Sequence, residues 1–296
     1  MLAEQVRKIV NTHPEYAPIT PVIEKEILHH DVMSILINEG AMQSLTFIGG
    51  TSLRLCYNSS RLSEDLDFSG GHAFKPSHFD GLENVIRDYI QKKYEMQVWV
   101  SKPVDDMQGD TASWKISIVR EPGRPDLPRQ KLHIDVCAVP SFDIERRPLI
   151  NHYGLVVPTE GLLIPVQSLR EALADKLIAL AYRARRIKPR DLWDIVWIKQ
   201  RGVSLSSRLV NLKLEARDKD KEHFAQALRT QLEKLMRDED VHEDFVNEIS
   251  RFIPNPIKER TIDIPDYWPY LQSEVKSVAE SFLENEGGRS SFDMSL

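Results

Sequence analysis

Between Phe47 and Phe68 the chain reads FIGGTSLRLCYNSSRLSEDLDF, and no other stretch narrows the possible folds as far. An apolar strand over Ser44 to Ile48 runs into Gly49-Gly50, where two residues without Cβ permit a sharp turn. Thr51 to Tyr57 then reads as a brief helix, and Leu66 to Ser69 as a second strand broken by Gly70-Gly71. Residues two apart on a strand share a face, which puts Asp65 and Asp67 on one side and Leu66 and Phe68 on the other. Paired carboxylates repel each other unless a cation lies between them. Mg²⁺ is such a cation, commonly held by one or two carboxylates together with substrate phosphates. A glycine turn at a helix start adds backbone N–H groups that accept an anion, and Thr51 adds a hydroxyl. The plainer alternative is a turn needed for geometry alone, with the two acids as surface charges.

The rest of the chain sets this unit in a larger pattern. A helix is expected from Val22 to about Glu39, ended by Gly40, and another over Pro76 to Tyr94, where Phe79, Leu82, Val85, Ile86, Tyr89 and Ile90 form one apolar face. Three strands follow, Met96–Ser101, Ser113–Arg120 and Lys131–Val139, the last two separated by the turn-rich EPGRPDLPRQ. Beyond Pro165 the pattern is almost wholly helical. Ser168-x-x-Glu171 is a capping box, Pro189 suits a first helical turn, and the final ten residues read as frayed. Strands gathered first and helices afterwards predict an α+β fold, with an α/β core over residues 1–165 and a helical part over 166–296.

Other chemistry falls out of the same reading. On the Lys131–Val139 strand, Leu132, Ile134 and Val136 face one way and His133, Asp135 and Cys137 the other, so pairing beside Leu66–Ser69 would bring Asp135 to Asp65 and Asp67. Three such carboxylates can hold two metals, with one acting as base toward a hydroxyl. Lys176 sits at the edge of a stripe formed by Leu169, Leu173, Leu177 and Leu180 and needs an anionic partner. Asp191 and Asp194 share a face at i, i+3 on the next helix. The net charge of −6 makes the whole molecule no polyanion binder, yet Arg183, Arg185, Arg186, Lys188 and Arg190 concentrate positive charge, and Arg120, Arg124, Arg129 and Lys131 form a looser group. Two distant cysteines, Cys56 and Cys137, read as buried thiols rather than zinc ligands. No window is apolar enough for a membrane span, which points to the cytoplasm.

G-G-T at Gly49–Thr51, R-x-S-x-D-x-D at Arg61–Asp67, and D-K-L-x-A-L-x-x-R…R-D-L-x-D from Asp175 to Asp194 together resemble the AbiEii/AbiGii toxin family. These are nucleotidyltransferase-like toxins of bacterial type IV toxin–antitoxin and phage-defence systems, to which the MenT-type tRNA-modifying toxins are related. The resemblance implies a DNA polymerase β-type nucleotidyltransferase core. It implies Mg²⁺ or Mn²⁺ on Asp65 and Asp67, with Asp135 as a third ligand. It also places Gly49, Gly50, Thr51, Arg61 and Ser63 near the NTP, and Lys176 and Asp191 in the active site. It further implies transfer of nucleotides to an RNA acceptor, the tRNA 3′ end, and a possible cognate antitoxin. Contact of that RNA with Arg183, Arg185, Arg186 and Lys188 is a further expectation from charge. The sequence leaves open a protein or small-molecule acceptor, a metal-dependent nuclease, and a domain that binds without turnover.

Overall fold

Alternation at period two builds a mixed sheet in the first of two units, Met1–Gln167 and Ser168–Leu296, that make up the chain. The computed structural model describes residues 2–103, 110–120, 128–183 and 185–290. The strands are β1 (Thr46–Ile48), β2 (Leu66–Ser69), β3 (Val98–Ser101), β4 (Thr111–Ile118), β5 (Gln130–Cys137), β6 (Ile144–Pro148) and β7 (Leu163–Gln167). They form one sheet in the order β3-β4-β5-β2-β1-β7-β6. The pairs β2–β5 and β1–β7 are parallel and the others antiparallel. The helices of this unit are α1 (Leu2–Thr12), α2 (Thr20–Asn38), α3 (Gly49–Tyr57) and α4 (Leu82–Tyr94).

The apolar positions of the strands form the core. Phe47 and Phe68 lie opposite each other in the β1–β2 register, fully buried, with ring centroids 5.3 Å apart. Burying a side chain of this size stabilises the fold by roughly 2–3 kcal/mol. Leu132, Ile134 and Val136 of β5 and Trp114, Ile116 and Ile118 of β4 are buried beside them, and α2 and α4 pack against the sheet. The alternate positions of β2, β5, β4 and β3 are half-buried or exposed: Asp67, His133, Asp135, Ser113, Lys115, Ser117, Trp99 and Ser101. One face is therefore core, and the other carries the polar chemistry.

One expectation needs correction, and further elements were not foreseen. Pro76 to Tyr94 is not one helix; a 3₁₀ turn at Pro76–Phe79 is separated from α4 by Asp80 and Gly81. The chain also begins with α1, which buries Leu2, Val6 and Ile9 at helical spacing. Finally, β6 and β7 extend the sheet where no strand was expected. β7 runs through Pro165, which is in register with Arg146 of β6, while β7 is paired to β1 at Phe47↔Val166. Residues 121–127 of the EPGRPDLPRQ turn, with Arg124, and the last six residues of the expected frayed end lie outside the described residues.

The second unit is helical: α5 (Leu169–Tyr182), α6 (Pro189–Lys199), α7 (Ser207–Glu215), α8 (Lys221–Arg237), α9 (Glu239–Ile249), α10 (Asn255–Glu259) and α11 (Tyr267–Ser290). Ser168 Oγ accepts the Glu171 N–H at 3.2 Å, closing the capping box at the start of α5. Leu173, Leu177 and Leu180 are fully buried, and α5 contacts α6, α7 and α8. Lys213 of α7, itself buried, reaches Glu171 at 2.5 Å and Asp175 at 3.1 Å on α5. Removing either partner of such a pair leaves a buried charge, so the contact fixes the register between the two helices.

Candidate functional site

The parallel register of β2 and β5 places Asp67 directly beside Asp135. Across β5's other edge, Ser113 of β4 is in register with Asp135, and its hydroxyl donates to Asp135 Oδ1 at 2.5 Å. Asp67, Asp135 and Ser113 thus form one row across the half-buried face. Asp65 precedes β2 rather than lying within it. Its Oδ1 accepts the backbone N–H of His133 at 3.1 Å, and the His133 ring nitrogen is 3.4 Å away. Burial pushes the Asp65 carboxyl above the usual range, against the opposing pull of His133. The strand pairing expected for Asp135 is therefore present. Asp65, however, turns its carboxylate onto β5's backbone.

The turn between β1 and α3 packs directly under these acids. Gly49 has φ +77°, and a Cβ there would overlap the Asp67 carboxylate. Both the backbone conformation and the approach of Asp67 require glycine. A Cβ on Gly50 would meet Arg61 Nη2 at 2.5 Å and Ser63 Oγ at 2.9 Å. Arg61 and Ser63 are buried, and Arg61 donates to the Leu62 carbonyl at 2.9 Å. The R-x-S-x-D-x-D motif thus wraps beneath the glycine turn. Thr51 is buried, and its hydroxyl donates to the Asp65 carbonyl. That hydroxyl, expected to be free for an anion, instead pins the start of α3 to the start of β2.

In the helical unit, Lys176 Nζ lies 2.9 Å from Asp191 Oδ1 and 2.7 Å from Asp194 Oδ2. Arg183 adds a second cation, its Nη2 3.0 Å from Asp191 Oδ2. Burial alone would push the Asp191 carboxyl up, but Lys176 and Arg183 hold it below its ordinary value. Asp194 was not among the expected site residues, although its i, i+3 spacing from Asp191 signalled a shared face. Of the basic group, Arg186 is paired with Asp244 and Glu248, and Arg190 with Glu248. In the looser group, Arg120 pairs with Glu24 at 2.7 Å.

A family model described as the nucleotidyl transferase AbiEii toxin of type IV toxin–antitoxin systems matches residues 31–273. The chain belongs to this family. It is a nucleotidyltransferase of the toxin type. Among curated proteins nothing matches. Among solved structures, a nucleotidyltransferase from H. pylori described as putative is 15% identical, with a TM-score of 0.50 over 88% of this chain and 97% of that one, and it shares the fold. JHP933 from Helicobacter pylori is 14% identical, with a TM-score of 0.49 over 92% and 97%. MenT4, a nucleotidyltransferase toxin from Mycobacterium tuberculosis, is 16% identical, with a TM-score of 0.48 over 95% and 99%.

What this AbiEii-family chain can hold follows from its donors. Asp67, Asp135 and Asp65 offer only hard oxygen ligands, the type that suits Mg²⁺ or Mn²⁺. Among the described residues no three His, Cys, Asp or Glu side chains are already gathered as a metal cage. Mg²⁺ does not need one, since one or two carboxylates plus substrate phosphates complete its shell. The Asp67–Asp135 pair fits that requirement. Ser113 and His133, which were not among the expected site residues, contact Asp135 and Asp65. His133 was legible as Asp135's neighbour on one face, whereas Ser113 depended on a cross-strand register that no local pattern reveals. Cys56 is buried, and burial pushes its thiol up to about 12, whereas Cys137, expected to be buried, is half-buried because it falls on the polar face of β5. No helix among the described residues is long and apolar enough to cross a membrane.

Proposed function

We propose that the protein transfers a nucleotidyl group from an NTP to the 3′ hydroxyl of an RNA acceptor, with tRNA as the substrate, and thereby blocks translation in the cytoplasm. The observation that carries this reading is the Asp67–Asp135 register pair on the polar face, with Gly49 packed under Asp67. In the reaction the acceptor oxygen attacks the α-phosphorus and pyrophosphate leaves. Catalysis of this kind rests on positioning and charge neutralisation. Asp67 and Asp135, with Asp65 beside them, would hold Mg²⁺ or Mn²⁺. When bound, that ion supplies positive charge at the phosphates and acidifies the attacking hydroxyl.

The chain's own groups do the rest. The backbone N–H groups of Gly50 and Thr51, at the positive end of α3, receive phosphate oxygens. Asp135, oriented by Ser113, is placed to take the hydroxyl proton. Within the helical unit, Asp191 and Asp194 hold the Lys176 ammonium in place, and this reading assigns that group to the neutralisation of developing negative charge. Arg185 and Lys188 remain as phosphate contacts for RNA, because Arg183 and Arg186 are engaged by acids of the protein. A cognate antitoxin is the expected partner. The test incubates the purified protein with total bacterial tRNA, Mg²⁺ and each α-labelled NTP in turn, with Asp67→Ala as control. Label entering tRNA only with intact Asp67 is the expected result; label entering protein, or no label, overturns the RNA acceptor.

A further inference from the structure

The polar face extends well past the carboxylates, and its far edge carries a side chain that the transfer reaction as described does not use. Trp99 of β3 is 45% exposed. It is in register with Ser117 of β4, which is in register with Lys131 of β5. The next row along the sheet holds Ser101, Lys115 and His133, and the row after that Ser113, Asp135 and Asp67. Trp99, Lys115 and Asp135 therefore lie on one diagonal of the sheet, with the lysine in the middle. From strand spacing and rise, the diagonal spans about 16 Å between its ends.

The two ends are chemically different. At Trp99 the Arg129 guanidinium sits over the indole, 4.3 Å from the ring centroid, making a flat cationic stack. Lys131 and Lys115 beside it are exposed. At the other end are the carboxylates and, beyond them on β1, the glycine turn. The sheet order β3-β4-β5-β2-β1 thus puts Trp99 and the turn on opposite sides of the acids. An NTP with its triphosphate at the turn leaves the Trp99 side to the acceptor.

We propose that Trp99 and Arg129 form a stacking platform for an unpaired base of the acceptor RNA, with Lys115 and Lys131 meeting the backbone phosphates that lead toward Asp135. This rests on the nucleotidyltransferase reading with an RNA acceptor and adds where and how that acceptor is gripped. An aromatic ring interleaved with lysines on an open sheet face is suited to single-stranded nucleic acid. Every base has a π-face to stack, and each phosphate needs a cation. A duplex keeps its bases stacked on each other and offers this surface nothing but phosphates.

The test measures binding of the full chain to a fluorescein-labelled single-stranded RNA octamer with a free 3′ hydroxyl, without NTP, by fluorescence anisotropy. Trp99→Ala should weaken binding roughly 5- to 150-fold, the range of one lost base stack, while Trp99→Phe keeps most of it. Lys115→Ala should weaken binding most at low salt and flatten the salt dependence. NTP affinity, measured separately, should be the same in Trp99→Ala as in the wild type. Wild-type affinity in Trp99→Ala overturns the platform. So does equal binding of a blunt duplex, a wild type that binds no octamer, or a matching loss of NTP affinity, which would assign the ring to the nucleotide base. The transfer reading is judged apart from all this, by label entering RNA with wild-type protein. If label enters while Trp99→Ala binds normally, the platform fails and the reading stands.

Discussion

The two sets of acids in this protein are held in opposite ways. Asp191 and Asp194 of the helical unit are buried and are met within 3 Å by a lysine of the same unit. Asp65 and Asp135 of the sheet unit are half-buried and are held by a backbone N–H, a histidine ring and a serine hydroxyl. A buried carboxylate facing an ammonium is neutralised by the fold and contributes to it, and losing it strands a cation. A carboxylate oriented by a backbone N–H or a hydroxyl is fixed in place without being neutralised. The first arrangement stabilises a unit; the second aims a negative charge at something from outside.

This contrast predicts that activity and stability separate. Asp135→Asn should lower nucleotide transfer by about 100- to 1,000-fold, as for the loss of one electrostatic contact to a transition state, and leave the urea midpoint close to wild type. A variant that unfolds instead would make Asp135 a structural acid and erase the distinction. Asp194→Ala should do the reverse first. It removes one acid from the half-buried Lys176 while Asp191 stays at 2.9 Å, at a cost of about 1.5–3 kcal/mol in urea unfolding, the range for a hydrogen bond between charged groups. A change under about 1 kcal/mol would show that the lysine is solvated after all.

Behind the sheet acids lies a buried histidine whose titration sharpens the comparison. His29 shares hydrogen bonding with the Glu64 carbonyl at 3.0 Å, and burial pushes it from 6.5 down to about 4, with Glu26, His30 and Lys25 as its charged neighbours. Above pH 6.5 the ring is neutral in both folded and unfolded chains. Between pH 6.5 and 4 only the unfolded chain takes the proton, so stability falls by about 3 kcal/mol over that window. His29→Gln should remove most of this slope in urea titrations across the same pH range. An unchanged slope would assign the acid sensitivity elsewhere.

Gly49→Ala probes the turn beneath Asp67. The left-handed backbone alone costs about 1–2 kcal/mol with a Cβ, and that Cβ also displaces the carboxylate. Transfer should therefore fall further than stability. Equal losses would mean that the turn supports the fold and does not position Asp67.

Much of this was legible because period-two patterns survive in short strands. LDFS is a strand from its first residue to its last, and KLHIDVC already separates core from polar face, so strand alternation puts Asp67 and Asp135 each on a polar face, while their meeting depends on the pairing of β2 with β5. What escaped was whatever depended on pairing between distant segments. IERRP looks like a charged loop because an edge strand exposes both its faces. Arg54 and Glu26 form a buried ion pair 28 residues apart, and nothing in either residue's surroundings marks it as buried. Arg61 and Ser63 have the chemistry to touch phosphates, but their place beneath Gly50 is set by how the motif folds back on the turn. The arginines after α5 read as a free basic patch because acids on α9 that neutralise Arg186 lie some sixty residues away.

The smallest expected effect tests whether neutral donors do aim the sheet acids. Ser113→Ala removes the hydroxyl that holds Asp135 Oδ1 and leaves the half-buried carboxylate to water. A hydroxyl bond to a half-buried carboxylate is worth about 1–2 kcal/mol, less than the buried lysine–acid contacts, so stability should change little. The consequence should appear in transfer, as a loss of up to about 10-fold in kcat with KM for the NTP unchanged, because the carboxylate is still present but no longer held. Ser113→Thr, which restores the hydroxyl on a residue that favours strands, should recover most of the rate. A loss in KM alone would place Asp135 in NTP binding. No loss at all would mean that the sheet orients Asp135 through its backbone register with Asp67, and that the hydroxyl is incidental to it.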